Sequence, residues 1–174
     1  MIRERLKKEA IRFRVAEESE LDTVFRMFQC ASKHMEEQGI YQWDELYPDR
    51  NDLEEDIRKG ELYLGVAEQE PVAAYVLNRE RDEAYINGKW KGEEASCMVL
   101  HRLCVNPAFQ GKGIGTFTMR HIEECLGKRG CRSIRLDAFT ENPIAERMYK
   151  KLGYQVVGFA EFRKGKFFLM EKLL

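Results

Sequence analysis

Apolar positions recur with two different periods along this chain, and each switch of period marks a new element. Residues 11–15, Ile-Arg-Phe-Arg-Val, alternate apolar and polar, which predicts a half-buried strand. Ser19 opens a helical pattern with Leu21, Val24, Phe25, Phe28 and Met35 on one side, ending at Gly39. A loop dense in aromatics follows over 39–51. A short helix is expected near 52–59, stopping at Gly60. Residues 61–78 read as two strands joined at Gln69-Glu70-Pro71. The polar stretch 79–94, carrying Tyr85 and Trp90, reads as an insertion or excursion from the fold. A strand over 96–107 ends at Asn106-Pro107. After a glycine cluster, Ile114, Phe117, Ile122, Cys125 and Leu126 mark a helix that ends near Gly130. Residues 133–139 are strand-like. Asn142-Pro143 then starts a helix with an N-cap residue and proline at its first position, and Gly153 closes it. Two strands, 154–162 and 166–174, finish the chain. The order β-α-α-β-β-β-α-β-α-β-β predicts an α/β protein with a mixed sheet.

Composition narrows this picture. The chain has 174 residues, enough for one domain (1–174) with a sizeable core. A formal net charge of -1 gives no electrostatic footprint for nucleic acid. The basic start, residues 1–14, reads as a solvated lead-in to the first strand. No apolar run reaches membrane-spanning length, and the N-terminus lacks the apolar core of a signal peptide. Cys30, Cys97, Cys104, Cys125 and Cys131 are scattered, with no C-x-x-C pair. That suggests reduced thiols and a cytoplasmic protein, with neither a disulfide frame nor a zinc site. No Cys/His/carboxylate cluster has metal-ligand spacing, so no metal is expected.

The candidate chemistry centres on 109–116, Phe-Gln-Gly-Lys-Gly-Ile-Gly-Thr. Glycine is costly inside a helix or strand, so three in alternation need a reason. The loop lies between a strand and a helix, where N–H groups converge and favour an anion such as phosphate. A Rossmann fingerprint requires G-x-G-x-x-G in an early β-α-β unit, whereas this is G-x-G-x-G after the fourth strand. A Walker A loop requires G-K-[ST] at its end, and Gly-Ile-Gly-Thr lacks the lysine. A glycine-rich turn without a ligand is the remaining alternative.

Gln110, Gly113 and Gly115 match a Q/R-x-x-G-x-G/A signature, and Leu103, Val105 and Pro107 match the apolar-x-Val-x-Pro strand before it. Downstream, Asn142, Ala145, Tyr149, Lys151 and Gly153-Tyr154 match N-x-x-A-x-x-x-Y-x-K-x-G-F/Y. Together these stretches resemble the GCN5-related N-acetyltransferase (GNAT) superfamily over roughly the C-terminal half of the chain. The resemblance implies the acyl-CoA N-acyltransferase fold: a mixed, mostly antiparallel central sheet, its fourth and fifth strands splayed, flanked by helices. It implies acetyl-CoA as cosubstrate. The backbone N–H groups of Gln110, Gly111, Lys112, Gly113, Ile114, Gly115 and Thr116 would hold the pyrophosphate. The main chain of Leu103, Cys104 and Val105 would bond the pantetheine arm as an added strand does. Asn142, Ala145 and Tyr149, at i, i+3 and i+7, share one helical face and would line that arm.

The implied reaction is attack of an amine on the thioester carbonyl. Tyr149 is the candidate acid for the departing thiolate, with a core tyrosine as its alternative. His101 is the candidate base, two residues before Leu103 and so on the same face of a regular strand. Arylalkylamine N-acetyltransferases of this superfamily place a catalytic histidine at the matching position; a structural, hydrogen-bonded histidine is the equal alternative. Asp137 is either a second polar group of the cleft or a structural hydrogen-bond partner. His34 and His121 read as surface residues without partners. For the acceptor, Tyr41, Trp43 and Tyr47 would form an apolar wall, with Asp44 or Glu45 attracting an amine cation. A loop packed on its own aromatics is the alternative. The acceptor is expected to be a small-molecule or peptide amine, with no nucleic-acid or membrane partner, acted on by a monomer or homodimer. An acyl-CoA-binding sensor without chemistry is the competing function, and a dinucleotide enzyme the third.

Overall fold

The computed structural model describes residues 6–174; residues 1–5 of the basic lead-in lie outside them. A 3-10 turn, Lys8–Ala10, leads into β1 (Arg12–Val15), followed by α1 (Leu21–Glu37), α2 (Arg50–Arg58), β2 (Leu62–Ala67), β3 (Glu70–Asn78) and β4 (Cys97–Val105). The second half holds α3 (Ile114–Lys128), β5 (Ser133–Phe139), α4 (Pro143–Lys151), β6 (Gln155–Phe162) and β7 (Gly165–Leu173). This is the predicted order. Seven strands run β1-β2-β3-β4-β5-β7-β6. The pairs β1-β2, β2-β3, β5-β7 and β6-β7 are antiparallel, and β4-β5 is parallel.

The chain forms two compact units. The first comprises the chain up to Leu77 together with Arg102–Thr118. Its core packs Leu21, Val24, Met27, Phe28 and Ala31 of α1 against Leu62, Leu64, Ala74 and Val76 of the sheet, with Leu53 and Ile57 from α2. That stripe at i, i+3, i+6, i+7 and i+10 is why the sequence forms an amphipathic helix here. A reciprocal capping box starts α2: Asp52 N donates to Asp49 Oδ1 (2.8 Å) and Asp49 N to Asp52 Oδ2 (2.9 Å). The β2–β3 turn falls on Glu68 and Gln69, both at positive φ, one residue before the expected join. Pro71 therefore lies inside β3, opposite Val66, where the register shifts between Gly65 and Val66. A proline is tolerated in a strand where such an irregularity breaks the ladder.

The second unit comprises Asn78–His101 and Met119–Leu174. Here residues 79–94 remain mostly exposed, as an excursion would be, but they are tied to the core at Tyr85, which is buried, and at Trp90, which is half-buried. Tyr85 is fully buried with Val99, Ala160 and Leu169. Its main-chain oxygen accepts from Trp90 Nε1 (2.7 Å), and Lys89 N donates to Val157 O (2.8 Å) beside β6. A β-carbon on Gly158 would lie 2.6 Å from Asn87 O, so only glycine admits this approach. Glu171, buried in β7, accepts from Lys91 N (2.7 Å), Gly92 N (3.0 Å) and Arg135 Nε (3.3 Å). Two aromatics and one buried carboxylate thus anchor a stretch whose composition reads as loop.

Candidate active site

The β4–β5 ladder is short. It pairs Cys97 with Ser133, Met98 with Ile134 and Val99 with Arg135, and goes no further. From Leu136 onward β5 keeps its register with β7 alone. Beyond this ladder, Arg102 adopts φ +51, a left-handed conformation uncommon for a side-chain-bearing residue. The alternation that would put His101 and Leu103 on one face therefore does not run through this point. Arg102 Nη1 donates to Asp56 Oδ2 (2.8 Å), and the guanidinium sits 5.0 Å from the Tyr47 ring centroid. The sequence carries no signal for this kink.

Asp56 is buried, and burial outweighs the charge of Arg102, pushing the carboxyl up to about 6. Asp52 and Glu61 add to the rise, and Lys59 opposes it. A carboxyl raised in the folded state binds more protons than in the unfolded chain. Its contribution to stability is thus fully present below the ordinary carboxylate range and is lost as pH rises through about 6. We expect the melting temperature of the wild-type protein to fall relative to Asp56→Asn as pH increases from 4 to 7. A gap that instead widens in favour of wild type would show that pairing with Arg102 dominates.

The glycine cluster forms the turn that delivers the chain into α3. Asn106 organises its start: its side chain accepts from Ala108 N (3.1 Å) and donates to Pro71 O (2.9 Å). Gln110 Nε2 donates to Val105 O (3.2 Å), folding the loop back on the end of β4. Phe109 and Ile114 are buried with Ile11, Ala67, Val72 and Ala73, clamping the loop from both ends. Between them Gly111 and Gly113 have φ of +76 and +74, which glycine adopts freely. A β-carbon on Gly111 would meet nothing within 4 Å, and one on Gly113 would lie 3.3 Å from Lys8 Nζ. Helix α3 starts at Ile114, and its first-turn N–H groups, lacking a preceding turn to bond, form the positive end of the helix. The turn fits a phosphate: residues 110–113 are exposed, glycines 111 and 113 add no side chain and a helix N-terminus follows, but Gln110 N, expected among the donors, is already engaged by Pro107 O (3.3 Å).

In the second unit Asn142 is both buried and the N-cap of α4, its side chain accepting from Ala145 N (3.1 Å). Tyr149, one face along, is buried with its ring edge-on to Tyr154 at 5.6 Å. Burial, then the charge of Asp137, pushes its phenol above the ordinary tyrosine range. The hydroxyl therefore stays protonated at neutral pH. Asp137 accepts from Tyr85 Oη (2.7 Å), a structural hydrogen bond between β5 and the 79–94 segment. His101 Nε2 faces Asn78 Oδ1 (2.8 Å) and the main-chain oxygen of Glu80 (3.1 Å). Both contacts are to oxygens, so Nε2 can serve them as a donor.

The aromatic loop divides. Trp43 packs on the first core, its ring 5.3 Å from that of Phe28, while Tyr41 is exposed and Tyr47 carries Arg102 on its face. Asp44 forms a bridge with Tyr47, and its carboxylate accepts from Leu46 N (3.0 Å), so part of its capacity serves the turn. Cys104 is buried in the first core, and burial raises its thiol above the ordinary range, which disfavours a thiolate there. The expectation that His34 and His121 stand alone is overturned: both are half-buried, His34 contacts Gln38 (3.2 Å), and His121 lies 3.5 Å from Cys125 Sγ. Four-residue spacing on a helix makes each pair neighbours. No group of metal-binding side chains, and no helix long and apolar enough to cross a membrane, occurs among the described residues.

The acetyltransferase (GNAT) family model matches residues 23–154, a span that draws on both units. The chain belongs to this family and is, by class, an acetyl-CoA-dependent acyltransferase. It is 27% identical over 128 residues to the uncharacterised N-acetyltransferase YesJ of Bacillus subtilis, covering 71% of this chain and 70% of that protein. Among solved structures it is similar to a GNAT-family acetyltransferase from Streptococcus agalactiae, with TM-score 0.83, 23% identity and coverage of 98% and 99% of the two chains. The PaiA N-acetyltransferase from Thermoplasma acidophilum, solved in complex with coenzyme A, gives TM-score 0.70 and 19% identity, covering 94% and 99%.

Proposed function

We propose that residues 1–174 act as one N-acetyltransferase domain that moves an acetyl group from acetyl-CoA to a primary amine by direct attack in a ternary complex. The observation that carries this reading is the 110–116 turn, with Gly111 and Gly113 at positive φ leading into α3, in a chain of this family. The loop N–H groups hold the diphosphate, and the main chain of Leu103, Cys104 and Val105, past the end of the β5 ladder, receives the pantetheine amides. Asn142, Ala145 and Tyr149 on α4 line the arm. A Leu103 main-chain N–H stabilises the tetrahedral oxyanion.

A lysine-like amine, with an ordinary pKa of about 10.4, must lose a proton before it attacks. His101 accepts that proton, directly or through water. Nitrogen then forms the new C–N bond, the C–S bond breaks, and Tyr149 protonates the departing thiolate. The nitrogen sheds its remaining excess proton, from which the phenolate is restored. Tyr41, Trp43, Asp44 and Tyr47 form the acceptor wall, and the acceptor is a small-molecule or peptide amine.

Thermal melting with acetyl-CoA, followed by thiol release across an amine panel, tests the proposal. A saturable rise in melting temperature and amine-dependent thiol release are expected. Stabilisation without thiol release for any amine would favour an acyl-CoA sensor. Stabilisation by NAD but not by acetyl-CoA would overturn the reading.

A further inference from the structure

We propose that Lys8 is a phosphate ligand for acetyl-CoA, supplied to the glycine turn by the segment ahead of β1. This rests on the reading of 110–116 as the coenzyme loop. The 3-10 turn Lys8–Ala10 is fixed by Ala10 N to Lys7 O (2.9 Å) and Ile11 N to Lys8 O (3.0 Å). Arg12 Nη1 also bonds Glu9 O (3.0 Å), tying the turn to the start of β1. Leu6 and Ile11, on either side of Lys8, pack in the same cluster as Phe109 and Ile114, the residues that clamp the loop. Lys8 is therefore held against the loop by apolar contacts on both flanks.

Its ammonium lies 3.3 Å from where a β-carbon on Gly113 would stand. The cation thus occupies the close-approach side of Gly113, whereas a β-carbon on Gly111 would meet nothing within 4 Å. Lys112, inside the loop, has its own ammonium 5.6 Å from the Phe109 ring centroid. Backbone donors and a helix N-terminus carry only partial charges, so an ammonium adds the full countercharge that a phosphate needs. A lysine suits this role as a point charge on a flexible stem.

Calorimetric titration of the full-length protein with coenzyme A, 3′-dephospho-coenzyme A and pantetheine decides the matter without turnover. Lys8→Ala should weaken coenzyme A binding roughly three- to tenfold, less than a buried charge would because Lys8 is only half-buried. Lys8→Arg should bind more tightly than Lys8→Ala, and Lys8→Glu more weakly still. The ionic-strength dependence of the dissociation constant should flatten in Lys8→Ala. Pantetheine, lacking phosphate, should bind wild type and Lys8→Ala equally. A loss retained with the 3′-dephospho compound assigns Lys8 to the diphosphate; a loss confined to intact coenzyme A assigns it to the 3′-phosphate. An unchanged dissociation constant for coenzyme A, or an equal loss with pantetheine, overturns the proposal. Melting temperatures of the variants separate a folding defect from a binding one. If wild type itself does not bind coenzyme A, the loop reading fails first.

Discussion

Replacing Tyr149 with phenylalanine is expected to lower kcat for acetyl transfer by roughly 10²–10⁴-fold, the usual range for loss of a general acid. Acetyl-CoA affinity should stay near wild type. The substitution removes one hydroxyl and leaves the ring packed on Tyr154. The phenol's raised proton affinity, from burial and from Asp137, keeps it a donor throughout the working pH range. A group that acts only on the leaving thiolate contributes to the transition state and not to ground-state binding, so the loss falls on kcat. It should be largest for poorly nucleophilic amines, where thiolate departure matters more. A core tyrosine behaves differently: the melting temperature falls and turnover of the folded enzyme is unchanged. Steady-state kinetics at saturating acetyl-CoA, beside a melting curve, separates the two. An undiminished kcat removes Tyr149 from the mechanism.

The second large effect is expected at Gly113. Gly113→Val should raise the dissociation constant for acetyl-CoA by roughly ten- to thirtyfold, well beyond Lys112→Ala. A residue with a β-carbon is strained by about 1–2 kcal/mol at left-handed φ, and β-branching worsens this. The free loop relaxes away from φ +74, and binding must restore it. The new β-carbon also crowds Lys8 Nζ. Gly111→Val is the informative control: φ is +76 there, but no atom lies within 4 Å of the added β-carbon. It reports strain alone, so a larger effect at Gly113 measures close approach. Unchanged affinity in Gly113→Val, measured by calorimetry on a protein with normal melting, would contradict the phosphate role of the loop.

The elements were legible because their signals are local. The α1 stripe, the Asn142-Pro143 start of α4 and the alternating strand near 11–15 are each written within about a dozen residues. The glycine turn was legible for the same reason, since its spacing and flanking strand and helix are contiguous. Local signals misled where packing outweighed them. Residues 79–94 look like loop by polarity, yet Tyr85 buries, Trp90 half-buries against it, and Glu171 satisfies the backbone of Lys91 and Gly92 from 79 or more residues away.

What the sequence by itself determined is the order of helices and strands, the glycine turn ahead of α3 and the capped helix carrying Asn142, Ala145 and Tyr149. Tertiary structure alone decided which side chains meet. The left-handed Arg102, paired with Asp56, interrupts the strand alternation between His101 and Leu103. Asp137 takes Tyr85 as partner, Trp43 sinks against Phe28, and Lys8 comes to rest at Gly113, a hundred residues away in the chain. Periodicity and capping depend on backbone geometry over a few turns, whereas these contacts depend on how distant apolar faces pack, which no short window of sequence contains.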